Sequence, residues 1–150
     1  MSRVALVIGS TSDKAVGDKI QGLLHELGVA CDYQVISAHR TPKRLREFVS
    51  EAEERGINVI IAGAGLSAHL PGAVAAETVI PVIGVPCEVR LQGMDALLAI
   101  VQMPPGVPVA CVGIENWKNA ALLALEILAL TDGAIAEKLA AYRGVDAPTT

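Results

Sequence analysis

The sequence predicts an α/β protein in which a doubly wound parallel sheet of five strands lies between two layers of helices, with one extra helix at the C-terminus. Strand-like apolar segments alternate along the chain with segments whose apolar residues recur at helical spacing. Each strand-like segment is interpreted as apolar on both faces, which is typical of a parallel sheet covered by helices on both sides. These two observations together predict a three-layer α/β/α fold.

Glycine and proline mark where the predicted elements start and stop. The segment GSTSD at 9–13 ends the first strand, Gly28 ends the first helix, and Pro42 suits the first turn of the second helix. The predicted elements are, in chain order, strand Arg3–Ile8, helix Val16–Leu27, strand Cys31–Ile36, helix Pro42–Arg55, strand Asn58–Ala64, helix Ala73–Thr78, strand Pro81–Val85, helix Leu91–Gln102, strand Val109–Ile114, helix Trp117–Leu130 and helix Ala134–Tyr142. Five strands in this order indicate a flavodoxin-like sheet.

Length and composition indicate one domain that associates with copies of itself. A chain of 150 residues can bury one sizeable core, so residues 1–150 are expected to form a single domain with a flexible tail at 144–150. Counting glycine and leaving out tyrosine, about 60% of the residues are apolar, against about 45–50% in typical globular chains. One small domain has limited room for this excess, which predicts burial between subunits.

The charge and the cysteine content of the chain limit what it can bind and where in the cell it is expected. The net charge of −4 and the absence of any lysine and arginine cluster argue against nucleic acid and anionic membranes, and the longest apolar runs are too short to span a bilayer. The cysteines Cys31, Cys87 and Cys111 lack metal-ligand spacing, and their odd number indicates reduced thiols, two of them buried. We therefore expect a cytoplasmic protein with a small-molecule ligand and no metal.

The loop after the first strand is rich in hydroxyl groups. In an open parallel sheet, ligands bind beyond the carboxyl ends of the strands, so the loops after the first three strands should share one rim. In the first loop, Ser10, Ser12 and the backbone N–H groups at a helix N-terminus favour an anion such as phosphate. Asp13 would repel phosphate and suits sugar hydroxyls better. Ordinary helix capping by Ser12 or Asp13 is the alternative interpretation.

The loop after the second strand, SAHRTP at 37–42, places a histidine beside an arginine. Arg40 could form a forked pair of hydrogen bonds with phosphate. A helix N-terminus and Arg40 disfavour the imidazolium form of His39, whereas a bound phosphate dianion favours it, and this balance suits a proton shuttle. The alternative is that both side chains are simply exposed loop residues.

The loops after the third and fourth strands carry weaker signals. The third, AGAGLSAHLPG at 62–72, has glycines that permit close approach of the backbone to a flat ligand, and a second histidine, His69. His25 lies among leucines on a helix and is interpreted as structural. In the fourth loop, no neighbouring histidine is placed to activate Cys87, so the sequence does not mark this cysteine as a nucleophile. Glu88 and Arg90 lie close to it in the sequence, and no role is assigned to them.

Taken together, the loops resemble the class I N5-carboxyaminoimidazole ribonucleotide mutases, and the resemblance runs from about residue 3 to residue 130. The matching motifs are GSTSD at 9–13, SAHRTP at 37–42, AGAG and AHLPG within 62–72, GVP at 84–86, IVQMP at 100–104 and NAALLA at 119–124. The resemblance implies a cytoplasmic homo-octamer without a cofactor, acting in purine biosynthesis. Such an enzyme moves a carboxylate from the exocyclic nitrogen of an aminoimidazole ribonucleotide to the adjacent ring carbon.

The resemblance also implies roles for individual residues. His39 would be the general acid and base, Arg40 would bind the phosphate and Asp13 the ribose. A carbamate loses CO2 once its nitrogen is protonated, and the ring carbon can recapture CO2 that cannot escape, so a snug, dry pocket is required. The remaining residues expected to bind the substrate or line this pocket are Ser10, Ser12, Ser37, Gly65, Ser67, His69 and Leu70.

Two residues depart from the class I pattern. Leu66 and Ser67 stand where class I members usually have a glycine and an alanine, and the class II carboxylases, which use free CO2, carry a serine in this region. A class II carboxylase is therefore the alternative within the family. Outside it, a flavodoxin-like electron carrier and a phosphoacceptor receiver domain share the sheet, but the chain has few aromatic residues for a flavin and no aspartate at the end of the third strand.

Overall fold

The computed structural model describes residues 3–147 and contains five strands and six α-helices, which alternate until the last two helices. The strands are β1 (Val4–Ile8), β2 (Cys31–Val35), β3 (Val59–Ala64), β4 (Val82–Pro86) and β5 (Ala110–Cys111). The helices are α1 (Lys14–Glu26), α2 (Pro42–Glu54), α3 (Leu70–Ala75), α4 (Met94–Val101), α5 (Trp117–Ala129) and α6 (Gly133–Arg143). All strands pair in parallel in the order β2-β1-β3-β4-β5, which confirms the predicted flavodoxin-like sheet.

Each face of the sheet has its own hydrophobic core, because side chains alternate between the faces along a strand. On one face, Leu6 packs with residues of α1, α5 and α6, and on the other face Val7 packs with residues of α2, α3 and α4. Every residue of β1, which pairs with β2 on one side and β3 on the other, is fully buried. None of the helices within residues 3–147 is both long enough and apolar enough to cross a membrane.

The expectation that every strand is apolar on both faces is wrong for β2. This strand reads CDYQV, and its residues are half-buried or exposed. It lies at the edge of the sheet, where water reaches one side and polar residues such as Asp32 and Gln34 are tolerated. Burial of two cysteines is also only partly correct, because Cys87 is buried whereas Cys31 and Cys111 are half-buried.

Several element boundaries differ from the predictions by up to three residues. Helix α3 begins at Leu70 instead of Ala73, because Pro71 is tolerated in a first turn, where no N–H is needed. The segment 91–93 forms a separate 3-10 turn with positive φ angles, so α4 begins only at Met94. The other edge strand, β5, pairs only through Ala110 and Cys111, although the sequence predicts a longer strand.

The C-terminal end of the chain is described as far as residue 147. Helix α6 ends at Arg143 and is capped by Gly144, whose φ of 66° is the left-handed conformation typical of a glycine after a helix. The N–H of Val145 still donates to the carbonyl of Ala140 at 3.1 Å. Residues 148–150 of the expected flexible tail lie outside the described residues.

Candidate active site

A cavity of about 320 Å³ lies at the carboxyl ends of the three strands β1, β2 and β3. The register aligns these ends, since Ile8 of β1 pairs with Val35 of β2 on one side and with Gly63 of β3 on the other. Nine of the ten predicted site residues line the cavity: Ser10, Ser12, Asp13, Ser37, His39, Arg40, Gly65, Ser67 and Leu70. The tenth, His69, contacts the site through His39.

The first loop is held by hydrogen bonds to Ser10. The extended Ser10 caps the 3-10 turn Thr11–Asp13, and its Oγ accepts from the N–H of Ser12 at 3.2 Å and from the Ser12 hydroxyl at 2.8 Å. The alternative interpretation, capping by Ser12 or Asp13, holds only for position, because Asp13 is the N-cap residue of α1 whereas the side-chain capping bond is made by Ser10. Asp13 makes no side-chain capping bond, so its carboxylate remains available to a ligand.

Asp13 is the one buried charged residue of the described chain, with a relative exposure of 6%. Burial, and secondarily the negative charge of Glu115, raise the pKa of its carboxyl group above the ordinary value of 3.8. A buried carboxylate facing a cavity gains from hydrogen-bond donors that a ligand brings, because water cannot solvate it fully. Ribose hydroxyls are donors of this kind.

The second loop presents the histidine and the arginine on a compact turn. Ser37 closes this turn, since its carbonyl accepts from the N–H of Thr41 at 3.0 Å and its Oγ accepts from the N–H of Arg40 at 3.1 Å. Both His39 and Arg40 are exposed at the cavity, just before α2 begins at Pro42. Within residues 3–147, no carboxylate forms an ion pair with Arg40, which leaves its guanidinium available for a phosphate.

His39 and His69 are in direct contact across the mouth of the site. The Nε2 atom of His39 lies 2.7 Å from the Nδ1 atom of His69, and the rings meet edge to face with centroids 4.8 Å apart. One of the two nitrogens must carry a proton and the other must be free to accept it. The pair can therefore exchange a proton between the second and third loops.

The third loop has an unusual backbone and a buried apolar side chain. Ser67 adopts a φ of 46°, and its carbonyl accepts from the N–H of His69 at 2.6 Å, which tightens the turn before α3. Leu70 is buried at the base of the cavity, whereas Leu66 is 65% exposed at its rim. This loop therefore contributes one apolar wall and one polar rim.

Gly65 makes room for a residue that sequence reasoning missed. A Cβ atom at this position would overlap with Cγ2 of Val89 and would lie 3.2 Å from the Cys87 carbonyl oxygen. Val89 lines the cavity from the loop after β4. Its position three residues after β4 was a usable signal, but a single valine has no distinctive chemistry.

The fourth loop otherwise contributes little reactive chemistry. Burial, with smaller effects of Asp13 and Glu115, raises the pKa of the Cys87 thiol to about 12, so it stays protonated at neutral pH and is unsuited to nucleophilic attack. Glu88 and Arg90 are exposed and do not line the cavity. Among residues 3–147, no group of three or more histidine, cysteine, aspartate or glutamate side chains is arranged to hold a metal ion.

Comparison with known proteins connects this site to one family. Residues 3–147 match the family model described as AIR carboxylase. The chain is 58% identical over 144 residues to the N5-carboxyaminoimidazole ribonucleotide mutase of Pyrococcus abyssi, covering 95% of this chain and 83% of that protein. It is 51% identical to the Thermotoga maritima protein of the same name, covering 95% and 84%. The crystal structure of Treponema denticola PurE superposes with a TM-score of 0.86 at 31% identity, covering 94% and 89%.

Proposed function

This chain belongs to the AIR carboxylase family, and we propose that it is an N5-carboxyaminoimidazole ribonucleotide mutase of purine biosynthesis. The observation that carries the proposal is the convergence of His39, Arg40 and Asp13, from two separate loops, on one cavity. Relatives at 50–58% identity carry this name, which supports an isomerase over an electron carrier or a receiver domain.

The charges around the cavity support an orientation for the ribonucleotide. Arg40 would bind the phosphate, because its guanidinium is exposed and offers paired donors. Asp13 would accept hydrogen bonds from the ribose hydroxyls, and Ser10 and Ser12 would supply further hydrogen bonds from the same loop. The base would then lie towards Gly65, beside the third loop.

The proposed chemistry needs one proton and no cofactor. His39 donates a proton to the exocyclic nitrogen of the carbamate, the nitrogen–carbon bond breaks, and CO2 and the aminoimidazole ribonucleotide result. The electron-rich ring carbon attacks the CO2 to form the new carbon–carbon bond, and His39 then takes the proton that this carbon loses. The histidine ends the cycle in its starting state, and His69 can orient it through the contact at 2.7 Å.

Retention of CO2 requires a closed apolar surface, because a small neutral molecule offers no charge for the protein to bind. The side chains of Ala38, Ala64 and Leu70 line the cavity and supply part of such a surface. Leu70 is the largest of these and is 2% exposed. A protein that holds CO2 here needs neither a metal nor biotin for the transfer.

We further propose that the active protein is a cytoplasmic homo-octamer that binds neither nucleic acid nor membranes. An exposed apolar stripe supports self-association, and its members recur on one side of α4 and of the turn before it. The stripe consists of Leu91, Met94, Leu98 and Val101, which are 75%, 46%, 51% and 49% exposed. An apolar surface of this kind is typical of subunit interfaces.

One assay distinguishes the mutase from the class II alternative. The enzyme is supplied either with N5-carboxyaminoimidazole ribonucleotide or with aminoimidazole ribonucleotide plus CO2 or bicarbonate, and formation of the 4-carboxy product is measured. The mutase converts the carbamate at low concentration without added CO2. Conversion only of aminoimidazole ribonucleotide with free CO2 would assign the chain to the carboxylases, in agreement with Ser67, and failure with both would contradict the proposed function.

A further inference from the structure

The loop after β4, residues 87–90, contributes Val89 to the wall of the cavity. The loop is tied down at its first residue, where the N–H of Cys87 donates to the carbonyl of Ala64 at 2.9 Å. Its next N–H, that of Glu88, donates to Oε1 of Glu115 at 2.7 Å. Val89 follows directly and lies over Gly65.

Glu115 reaches this loop from the connection between β5 and α5. Its own N–H donates to the carbonyl of Pro86 at 2.9 Å, so its backbone is bound to the end of β4. Its φ of 56° lies in the left-handed region, which costs energy for a residue with a side chain and persists only where surrounding contacts hold it. The side chain is thereby directed at the Glu88 N–H, and an ionised acceptor makes this hydrogen bond stronger than a neutral one.

We propose that Glu115 is a positioning residue that holds the loop 87–90 in place, and that Val89, so held, is a wall that retains CO2 during the transfer. The inference rests on the proposed mutase function. Val89 lines the cavity and is 42% exposed, so its apolar side chain stands between the cavity and solvent and would obstruct the exit of CO2. The fit of Val89 against Gly65 leaves no room for a second side chain there.

Loss of this wall has a chemical signature. After the nitrogen–carbon bond breaks, CO2 can either be recaptured by the ring carbon or leave the cavity. Escape releases one CO2 and one aminoimidazole ribonucleotide for each carbamate consumed. The ratio of aminoimidazole ribonucleotide to 4-carboxy product therefore measures leakage, after subtraction of the carbamate lost without enzyme.

The test compares Val89→Ala, Glu115→Ala and Glu115→Gln with the wild-type protein. Val89→Ala and Glu115→Ala are expected to raise the leakage ratio at least threefold, with unchanged thermal unfolding midpoints serving to exclude global damage. Glu115→Gln keeps an oxygen that can accept from the Glu88 N–H, so its ratio should stay within twofold of the wild type. Glu137→Gln, at an exposed position on α6, is the matched control for removal of a carboxylate.

Amide hydrogen exchange tests the tether independently of any activity. The Glu88 amide should lose protection at least tenfold in Glu115→Ala and keep it in Glu115→Gln. Unchanged protection and an unchanged leakage ratio in Glu115→Ala would overturn the inference while leaving the mutase function intact. A leakage ratio raised equally in Glu115→Ala and Glu115→Gln would also overturn the inference. Both variants remove the negative charge of Glu115, so the loss of that charge near Asp13, and not the loss of the hydrogen bond to Glu88, would then explain the leakage. Absence of transfer by the wild-type protein would contradict the proposed function instead, and the exchange result would stand separately.

Discussion

The Nε2 atom of His39 lies 2.7 Å from the Nδ1 atom of His69, although thirty residues separate them in the chain. The contact joins the loop after β2 to the loop before α3, at the mouth of the cavity. Only one proton can occupy the short space between the two nitrogens. When one of these nitrogens carries the proton, the other must accept it, so the tautomers of the two rings are coupled.

Replacement of His39 by asparagine should abolish transfer and spare binding. Asparagine fits the exposed turn but cannot shuttle a proton at neutral pH, and loss of general acid–base catalysis lowers rates by about 10²–10⁴. Product formation and calorimetric binding of the ribonucleotide product are the measurements. A transfer rate within tenfold of the wild type would contradict the assignment of His39 as the acid and base.

Replacement of His69 should lower kcat less than replacement of His39, and the size of the fall should depend on which residue replaces it. His69→Ala removes the partner of His39, a neutral hydrogen bond of about 1 kcal/mol, which corresponds to roughly a fivefold fall in kcat. His69→Asn retains a polar atom near the position of Nδ1 and should lose less. Steady-state kinetics decide this, and equal losses in both variants would show that the hydrogen bond is not the cause.

Asp13 should make the protein less stable as the pH rises. Burial and Glu115 raise its pKa in the folded protein above 3.8, so the folded state binds this proton more readily than the unfolded state. The resulting stabilisation is complete below the unfolded pKa and is lost as the pH rises through the folded pKa. Asp13→Asn should therefore unfold at a higher temperature than the wild type at pH 7, and the difference should disappear near pH 3.

The measurement is the thermal unfolding midpoint between pH 3 and pH 7. The control is Glu54→Gln on α2, which removes an exposed carboxylate and leaves the buried carboxylate of Asp13 in place. The same Asp13→Asn protein should bind the ribonucleotide more weakly if Asp13 accepts from ribose. An Asp13→Asn variant less stable than the wild type at pH 7 would contradict a raised pKa of the Asp13 carboxyl group.

Gly65→Ala should be destabilising through its collision with Val89. Forcing an extra methyl group into a packed site costs about 1–3 kcal/mol. Val89→Ala removes the atom that a Cβ at Gly65 would overlap, and leaves only the contact with the Cys87 carbonyl oxygen at 3.2 Å and that with the remaining Cβ of residue 89. In a double-mutant cycle measured by urea unfolding, the double variant should lose less free energy of unfolding than the two single variants together. The difference should be at least about 0.5 kcal/mol. Strict additivity would show that the two positions do not interact.

Leu98→Glu should dissociate the proposed octamer. Leu98 belongs to the exposed apolar stripe on α4, and a charge there would be buried without a partner in an interface. Sedimentation velocity should show smaller species for this variant. Val79→Glu, at a 96% exposed valine outside the stripe, should sediment like the wild type. An intact assembly in Leu98→Glu would place the subunit interface elsewhere.

Much of the site was accessible from the sequence because of how parallel sheets are built. The order of elements predicts which loops follow strands, and parallel strands place those loops at one edge. The sequence therefore predicts Ser10, Asp13, His39 and Arg40 at a common site, and the cavity contains all of them. The same order could not show that β5 would be so short, because pairing at an edge depends on backbone contacts along a single neighbour.

By itself, then, the sequence determined the alternation of strands and helices, the parallel sheet, and the polar loops that meet at its rim. The tertiary structure alone decided the contact of His39 with His69, the placement of Val89 over Gly65, and the reach of Glu115 to the Glu88 N–H. Which residues of a strand or helix are buried depends on the local alternation of apolar and polar residue types, and this alternation is visible in the sequence. Contacts between loops depend on backbone angles such as the positive φ of Ser67 and Glu115, which non-glycine residues adopt only when distant parts of the fold hold them there.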